Sequence, residues 1–226
     1  PDLTGQPVVI GGGRKSVPQE SVDPATGQVT RKYQTLASYA GRGVITTATY
    51  AARKLGVGSA MGLMKAAKLA PDAILLPADF DAYRTMSRRF KAAVRAIAPV
   101  VEDRGIDEIY IDLTDLPGAQ DDAGQAAARA LKDAVLDATG LRCSIGVTPN
   151  KLLSKIASEL DKPDGLTILT MDDLPTRIWP MPVRRVNGIG PKAETRLNAI
   201  GIETIGQLAV APPTRLQKHF GSQYGQ

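Results

Sequence analysis

Asp107 and Glu108 stand side by side in the run Ile106-Asp107-Glu108-Ile109-Tyr110-Ile111-Asp112-Leu113-Thr114. Ile109, Ile111 and Leu113 alternate with Tyr110 and Asp112, the period of a strand with the acids at its start. Adjacent strand side chains point to opposite faces, so both carboxylates can serve one ligand only where the backbone bends. Hard divalent cations select carboxylate oxygens, and a metal site is the chemistry such a pair could do. The ordinary alternative is a solvated strand entry.

Three further segments carry groups suited to phosphates. Thr47, Tyr50 and Arg53 recur every three residues at a helix start, bringing hydroxyl, phenol and guanidinium to one face. Lys151 and Lys155 lie four apart on a helix predicted over 150–160, and Lys162 follows beside Pro163 and a turn at Asp164-Gly165. A cation at a helix end beside two carboxylates could bind a phosphate already bridged to a metal. From spacing alone, a solvated basic face is the simpler reading. Gly188-Ile189-Gly190-Pro191-Lys192 opens a helix predicted over 193–199, where glycines let a phosphate approach backbone N–H groups. With Leu197 and Ile200-Gly201-Ile202 following, this has the form of a helix-hairpin-helix, which grips nucleic-acid backbone without reading sequence.

The elements that must position these groups follow from periodicity. Residues 7–12 read as a short buried strand, and 13–43 as an exposed loop or small hairpin with a turn at Asp23-Pro24-Ala25-Thr26-Gly27. Residues 44–47 read as a strand, 49–55 and 63–69 as short helices, and 74–76 as a strand. Tyr83 to Ile97 is an amphipathic helix whose apolar face is Tyr83, Met86, Phe90, Val94 and Ile97. Arg84, Arg88, Lys91 and Arg95 mark its other face, read as solvated. A helix capped by Asp121 and Asp122 runs from 121 to Thr139 and ends at Gly140. Strands at 141–147 and 166–169 flank the helix at 150–160. The order is that of an α+β sheet with helices on one face, open to one more strand from upstream. From 167 onward the pattern is helical.

The chain has 226 residues, 43% of them apolar, which excludes a disordered chain and suits one large or two to three small domains. No apolar run approaches the ~20 residues that cross a bilayer. Cys143 is the single cysteine, so there is no disulfide framework; it is expected to pack in a core, and the pattern suits a cytosolic protein. Net charge is +5 and unevenly spread: +4 over 1–80, −2 over 81–166 and +3 over 167–226. Acids in the middle with basic segments on either side suit a metal site flanked by polyanion-binding parts.

Together these segments resemble the Y-family translesion DNA polymerases of the DinB, or DNA polymerase IV, type. The resemblance runs through Thr46-Thr47-Ala48-Thr49-Tyr50-Ala51-Ala52-Arg53-Lys54-Leu55-Gly56-Val57 and Ile106-Asp107-Glu108-Ile109-Tyr110-Ile111-Asp112. It continues through Ser144-Ile145-Gly146-Val147, Asn150-Lys151 and Lys162-Pro163-Asp164-Gly165 to the glycine hairpin. It implies a polymerase right hand: fingers over 1–76 with a long loop at 14–41, a ferredoxin-like palm over 77–166, and a helical thumb over 167–226. The implied activity is template-directed DNA synthesis by two-metal nucleotidyl transfer, of low fidelity, in lesion bypass during DNA repair and the SOS response.

The resemblance also assigns residues. Asp107 and Glu108 match the carboxylates that hold two Mg²⁺ ions; Asp107 would be shared, and Glu108 would favour the ion that activates the primer 3′-hydroxyl. Thr47, Tyr50, Arg53 and Lys162 match the groups that hold the incoming deoxynucleoside triphosphate. Val44, Thr46, Ala60 and Met61 would form a small-residue roof over the nascent base pair. Gly188, Gly190 and Lys192 would hold the duplex backbone, with Lys151 and Lys155 as further DNA-binding cations. Implied partners are primer–template DNA and a sliding clamp engaged through a C-terminal part, for a cytoplasmic monomer.

Some family features are not in these residues. The first metal-binding aspartate and the aromatic residue that excludes ribonucleotides are expected upstream of Pro1, and the little finger beyond Gln226. The chain is therefore read as an internal portion of a longer protein, inactive alone. Gly105 stands where relatives usually carry serine. The loop at 14–41 is longer than usual and is expected to lack fixed structure, although Arg14, Lys15, Arg31 and Lys32 could touch template. His219, the only histidine, is expected to be structural or DNA-proximal, and Trp179 to pack the palm–thumb junction. The competing readings are a non-catalytic homologue that binds primer–template, and a helix-hairpin-helix repair nuclease, which leaves the fingers motif and Lys162-Pro163 unexplained.

Overall fold

A computed structural model describes residues 3–13 and 16–221. The chain divides into two compact units, Pro1–Ala82 and Tyr83–Gln226. Among the described residues no helix is long and apolar enough to cross a membrane.

The first unit contains the strands Val8–Gly12 (β1), Gln19–Val22 (β2), Val29–Lys32 (β3), Gln34–Thr35 (β4), Thr47–Ala48 (β5) and Ile74–Pro77 (β6), with helices Tyr50–Lys54 (α1) and Leu63–Leu69 (α2). Four strands form one sheet in the order β4-β6-β1-β5. β1 runs parallel to β6 and antiparallel to β5. Val9 faces Leu75 across the first pair, and both are fully buried with Leu36, Ile45, Ala52, Val57, Leu63 and Ala66. Burial of this apolar surface is the main force holding the unit together.

Thr49 ties the sheet to α1. Its hydroxyl donates to the Gln6 carbonyl at 2.9 Å and accepts from the Val8 N–H at 3.0 Å and, as helix cap, from the Ala52 N–H at 3.4 Å. Gly11 lies under the crossing of residues 44–45: a Cβ there would sit 2.6 Å from the Val44 carbonyl oxygen.

Residues 13–43 take the hairpin alternative of the sequence reading, with the turn at Asp23. β2 and β3 pair antiparallel into an exposed ribbon closed by the Asp23 turn, and β4 joins the main sheet. The expectation that this segment lacks fixed structure is thus corrected. A Ser21–Thr30 hydroxyl pair and an Arg31–Glu20 ion pair link the two ribbon strands, while Leu36 reaches the core. Arg14 and Lys15 lie outside the described residues.

The second unit is carried by Phe80–Ile97 (α3), Val101–Asp103 (β7), Ile109–Ile111 (β8), Gln125–Thr139 (α4), Ile145–Val147 (β9), Lys151–Leu160 (α5), Leu166–Ile168 (β10), Pro191–Asn198 (α6), Ile205–Ala209 (α7) and Pro213–Phe220 (α8). β7 and β8 form an antiparallel hairpin; β9 and β10 pair in parallel around α5. Instead of the single sheet expected, two separate two-stranded ladders are present, and β8 and β9 are not paired with each other. α3 and α4 pack Val94, Ala98, Leu131 and Val135 against Ile109, Ile111 and Ile145, so both ladders share one core.

α4 begins at Gln125, not at 121, because Ala123 and Gly124 adopt left-handed backbone (φ 55° and 81°) that breaks the helix. Gly124, and neither Asp121 nor Asp122, stands at the cap position, although Asp122 accepts the first-turn Ala126 N–H at 2.8 Å. A second core joins Leu153, Ile156 and Ala157 of α5 to Leu169, Ile178 and Ile205, so the expected palm–thumb boundary falls inside shared packing. The third holds Val183, Leu197 and Ile202 of the glycine hairpin.

Candidate active site

The β7–β8 hairpin presents the two acids. Its ladder ends at Asp103↔Ile109, and the Arg104 N–H closes the turn on the Glu108 carbonyl at 3.1 Å. The backbone bends over 105–107, the bend that adjacent carboxylates need to serve one ligand. Asp107 and Glu108 are both exposed on the approach to β8. Asp107 makes no hydrogen bond or ion pair among the described residues. No group of three or more His, Cys, Asp or Glu side chains gathers to hold a metal among them. Two exposed carboxylates do fit a hard cation as part of its shell, with other oxygens completing it.

α5 supplies the facing cations. It lies flat on β9 because Gly146 has no side chain: a Cβ there would sit 2.5 Å from the Ser154 carbonyl oxygen and 2.6 Å from the Ser158 nitrogen. Asn150 caps the helix, accepting the Leu153 N–H at 3.0 Å. Lys155 pairs with Glu108 and, at 3.2 Å, with Glu159; Lys162 reaches Glu159 at 2.7 Å; Lys151 pairs with Glu102 of β7. Burial disfavours the Lys155 ammonium, but Glu108 and Glu159 outweigh it and raise its pKa above the ordinary lysine value. Lys151 holds the Glu102 carboxyl below its usual range. The predicted lysines thus form an alternating ladder with Glu102, Glu108 and Glu159, not a free basic face. Tyr110 of β8 lies 5.7 Å from the Arg104 guanidinium and 5.9 Å from the Lys151 ammonium.

Lys162 opens the turn to β10. Lys132 of α4 anchors that turn, donating to Asp164 Oδ1 at 2.6 Å and to the Asp164 carbonyl at 2.9 Å. Arg142 takes the other Asp164 oxygen at 2.7 Å. Cys143 is partly buried against the α3–α4 core, as expected, and burial pushes its thiol pKa up.

In the first unit, Thr47 lies on β5 while Tyr50 and Arg53 lie on α1. All three are exposed, Tyr50 by 53%. Arg53 Nε donates to the Ala48 carbonyl at 3.0 Å, which sets the guanidinium 5.9 Å from the Tyr50 ring. Val44, Thr46, Ala60 and Met61 come together around Ile45, which donates to the Met61 carbonyl and accepts from the Ala60 N–H, both at 2.8 Å. Val44, Thr46 and Ala60 are exposed; Met61 leans on the core. Lys162 belongs to the other unit.

In the glycine hairpin, Gly188 takes φ 95° and Gly190 caps α6, with open space where either Cβ would stand. Ile189 packs into the hairpin core. Lys192 is exposed on the first turn of α6 and pairs with nothing described. A cavity of about 430 Å³ runs between α5 and this hairpin, lined by Lys155, Glu159, Arg184, Arg185, Gly188 and Gly190. Trp179 is 40% exposed, and its backbone carbonyl accepts the Gly206 N–H at 3.0 Å, a bond within 167–226 and not across the expected palm–thumb junction. His219 has a structural part: its carbonyl accepts from Arg196, whose guanidinium lies 4.4 Å from the Phe220 ring.

Sequence reasoning missed Lys91. Read as solvated, it is only 9% exposed and its ammonium binds Asp103 and the Gly105 carbonyl. The signal was present: Ser87, Lys91, Val94 and Ala98 keep the spacing of one helix stripe, and all four are buried.

Residues 1–159 match the impB/mucB/samB family, and residues 172–202 match the IMS family HHH motif. DNA polymerase IV of Alkalilimnicola ehrlichii is 36% identical over 223 residues, covering 99% of this chain and 56% of that protein. DNA polymerase IV of Oceanobacillus iheyensis is 40% identical over 180 residues, covering 80% of this chain and 42% of that one. The chain thus spans about half the length of these relatives. The crystal structure of DinB from Sulfolobus solfataricus superposes with a TM-score of 0.79 at 28% identity, over 100% of this chain and 59% of that one. An insertion ternary complex of Dbh DNA polymerase gives the same values. The chain belongs to the impB/mucB/samB family, the Y-family DNA polymerases of the DinB type.

Proposed function

We propose that this chain is the fingers, palm and thumb of a DNA-directed DNA polymerase that extends a primer across damaged template. The observation that carries the reading is the bend at 105–107, which frees Asp107 and Glu108 from strand alternation at the head of β8. Family membership supports the substrate class, and the ternary complex of Dbh DNA polymerase supports primer–template DNA and a deoxynucleoside triphosphate as partners.

Asp107 and Glu108 hold the divalent ions, Mg²⁺ in the cell. When bound, two such ions activate the attacking hydroxyl and stabilise the leaving oxygen. Family membership implies one further carboxylate ligand besides these two. Thr47, Tyr50 and Arg53 bind the triphosphate from the fingers; Lys162 binds it from the palm. Arg53 is preorganised by its bond to Ala48, so little freedom is lost on binding. Lys155 neutralises Glu108, the charge that a bound divalent ion would share. Val44, Thr46, Ala60 and Met61 cover the nascent pair with little bulk, leaving room for distorted bases at low fidelity. The N–H groups at Gly188 and Gly190, with Lys192, Lys151 and Lys155, hold phosphates of the duplex. The protein acts in the cytoplasm as a monomer in DNA repair and the SOS response, and a C-terminal part engages the sliding clamp.

The test is primer extension by the chain with its upstream residues restored, using Mg²⁺, a primed template and four deoxynucleotides. Extension that vanishes in Asp107→Ala supports the reading. On this reading the 226 residues alone give no extension, the family's first aspartate being expected elsewhere in the protein. Intact primer–template binding without extension by the restored chain supports a non-catalytic binding protein instead.

A further inference from the structure

Gly105 is the loosest point of the acid-bearing turn, with φ 142° and no side chain to restrain it. Both of its polar backbone groups are nevertheless fixed. Its N–H donates to Asp103 Oδ1 at 3.1 Å, and its carbonyl accepts from Lys91 Nζ. Lys91 also donates to both Asp103 oxygens, at 2.9 and 2.8 Å. Three acceptors meet the three donors of one ammonium. A single ion pair therefore clamps both ends of the residue, two positions before Asp107.

An ion pair with one partner buried and the other half in solvent is weak evidence for a stability role. An apolar side chain of similar volume would pack into α3 at no net loss. Asp103 is 52% exposed and could be hydrated without a partner. What the lysine supplies and an apolar residue could not is a fixed path for the turn. Metal and transition-state geometry are sensitive to shifts of about 1 Å, and outer contacts that orient ligands are worth about 10- to 100-fold in metal affinity.

We infer that Lys91, through Asp103 and the Gly105 backbone, is a positioning residue that holds Asp107 and Glu108 in the geometry that binds the divalent ions. The inference rests on the reading of those two acids as metal ligands. Gly105 leaves this turn without a side chain of its own, so the restraint comes from α3.

The experiment compares the restored chain with Lys91→Met, which keeps length and apolar bulk, and with Asp103→Asn, which keeps an acceptor for the Gly105 N–H. Free Mn²⁺ is counted by electron paramagnetic resonance, the Gly105 amide by hydrogen exchange, and extension by kcat and the KM for nucleotide. Lys91→Met is expected to raise the Mn²⁺ dissociation constant about 10-fold or more. It should speed Gly105 exchange and lower kcat, with the KM for nucleotide and the affinity for primer–template unchanged. Asp103→Asn should give the same pattern at smaller size, and it tests the inference should Lys91→Met fail to fold. A lower melting temperature with unchanged Mn²⁺ affinity and kcat would make the pair merely structural and overturn the inference. Asp107→Ala separates the two layers: if it binds Mn²⁺ like the parent, the metal reading itself fails, and the role of Lys91 with it.

Discussion

Gly146→Ala tests whether the packing of α5 sets the site. The added Cβ would lie 2.5 Å from the Ser154 carbonyl oxygen, 2.6 Å from the Ser158 nitrogen and 2.7 Å from Ala157 Cβ, where ordinary contact starts at 3.4 Å. Two of these neighbours are helix backbone and cannot rotate away. α5 must therefore retreat from β9 by about 0.7–0.9 Å or tilt by an equivalent amount. Overpacking of this kind costs about 1–3 kcal/mol. That is a fall of about 5- to 150-fold in the folding constant, and about 2–12 °C in melting temperature for a chain of this length.

The same retreat moves Lys155 from Glu108 and Lys151 from Glu102, and it strains the Ser154 hydroxyl bond to the Gly146 carbonyl at 2.7 Å. Misplacement near 1 Å costs up to about 100-fold in rate. Urea unfolding of the 226 residues measures the first effect. Single-turnover extension by the restored chain, well below its melting temperature, measures the second, with a loss of about 10- to 100-fold expected. An unchanged unfolding midpoint would refute the packing argument. A destabilised chain with parental extension would show that the position of α5 does not set the chemistry.

Gly190→Ala meets open space at φ −83°, so stability should stay within about 0.5 kcal/mol, while primer–template affinity falls several-fold by fluorescence anisotropy. Lys192→Ala should weaken DNA binding at every sequence and reduce the salt slope of log Kd by about 1. Asp164 is held below its usual pKa first by Lys132 and then by Arg142. Its stabilisation is therefore present above the unfolded value near ~3.9 and lost as pH falls through the lower folded value. Asp164→Asn should flatten the acid limb of urea midpoints taken from pH 7 to 3. Thr49→Ala removes a helix cap and the tie to β1, so the first unit should lose about 1–2 kcal/mol; by tilting α1 it should raise the KM for nucleotide.

What could be read from the sequence was whatever shows itself within one element. The alternation after Glu108 gave the strand, and the three- and four-residue spacing of Phe90, Val94 and Ile97 gave the inner face of α3. Thr49 and Asn150, placed inside the predicted helices, turn out to be their caps, one residue before each helix begins. The separate ladders were harder, because which strands pair is not written in either strand's own pattern. The start of α4 was misread because left-handed backbone at Ala123 carries no residue-type signal, alanine being the best helix former. The β2–β3 ribbon was legible from its Asp23 turn only as one of two alternatives: with Val22 and Val29 on the surface, its strands bury too little for alternation to separate hairpin from loop.

The charged residues make the sharper case. A lysine's place on a helix predicts which way it leaves the axis, not what waits at its far end. Lys151, Lys155 and Lys91 all come from helices, and each terminates on a carboxylate of the β7–β8 hairpin or its flank. That hairpin carries four carboxylates between Glu102 and Glu108, and with nothing bound they repel one another across a short turn. Cations from α3 and α5 relieve three of them. Asp107 is the acid left without one. Among the described residues the turn compensates each of these carboxylates except Asp107 at its exposed bend, and the proposed function gives that acid a divalent ion as its counter-charge.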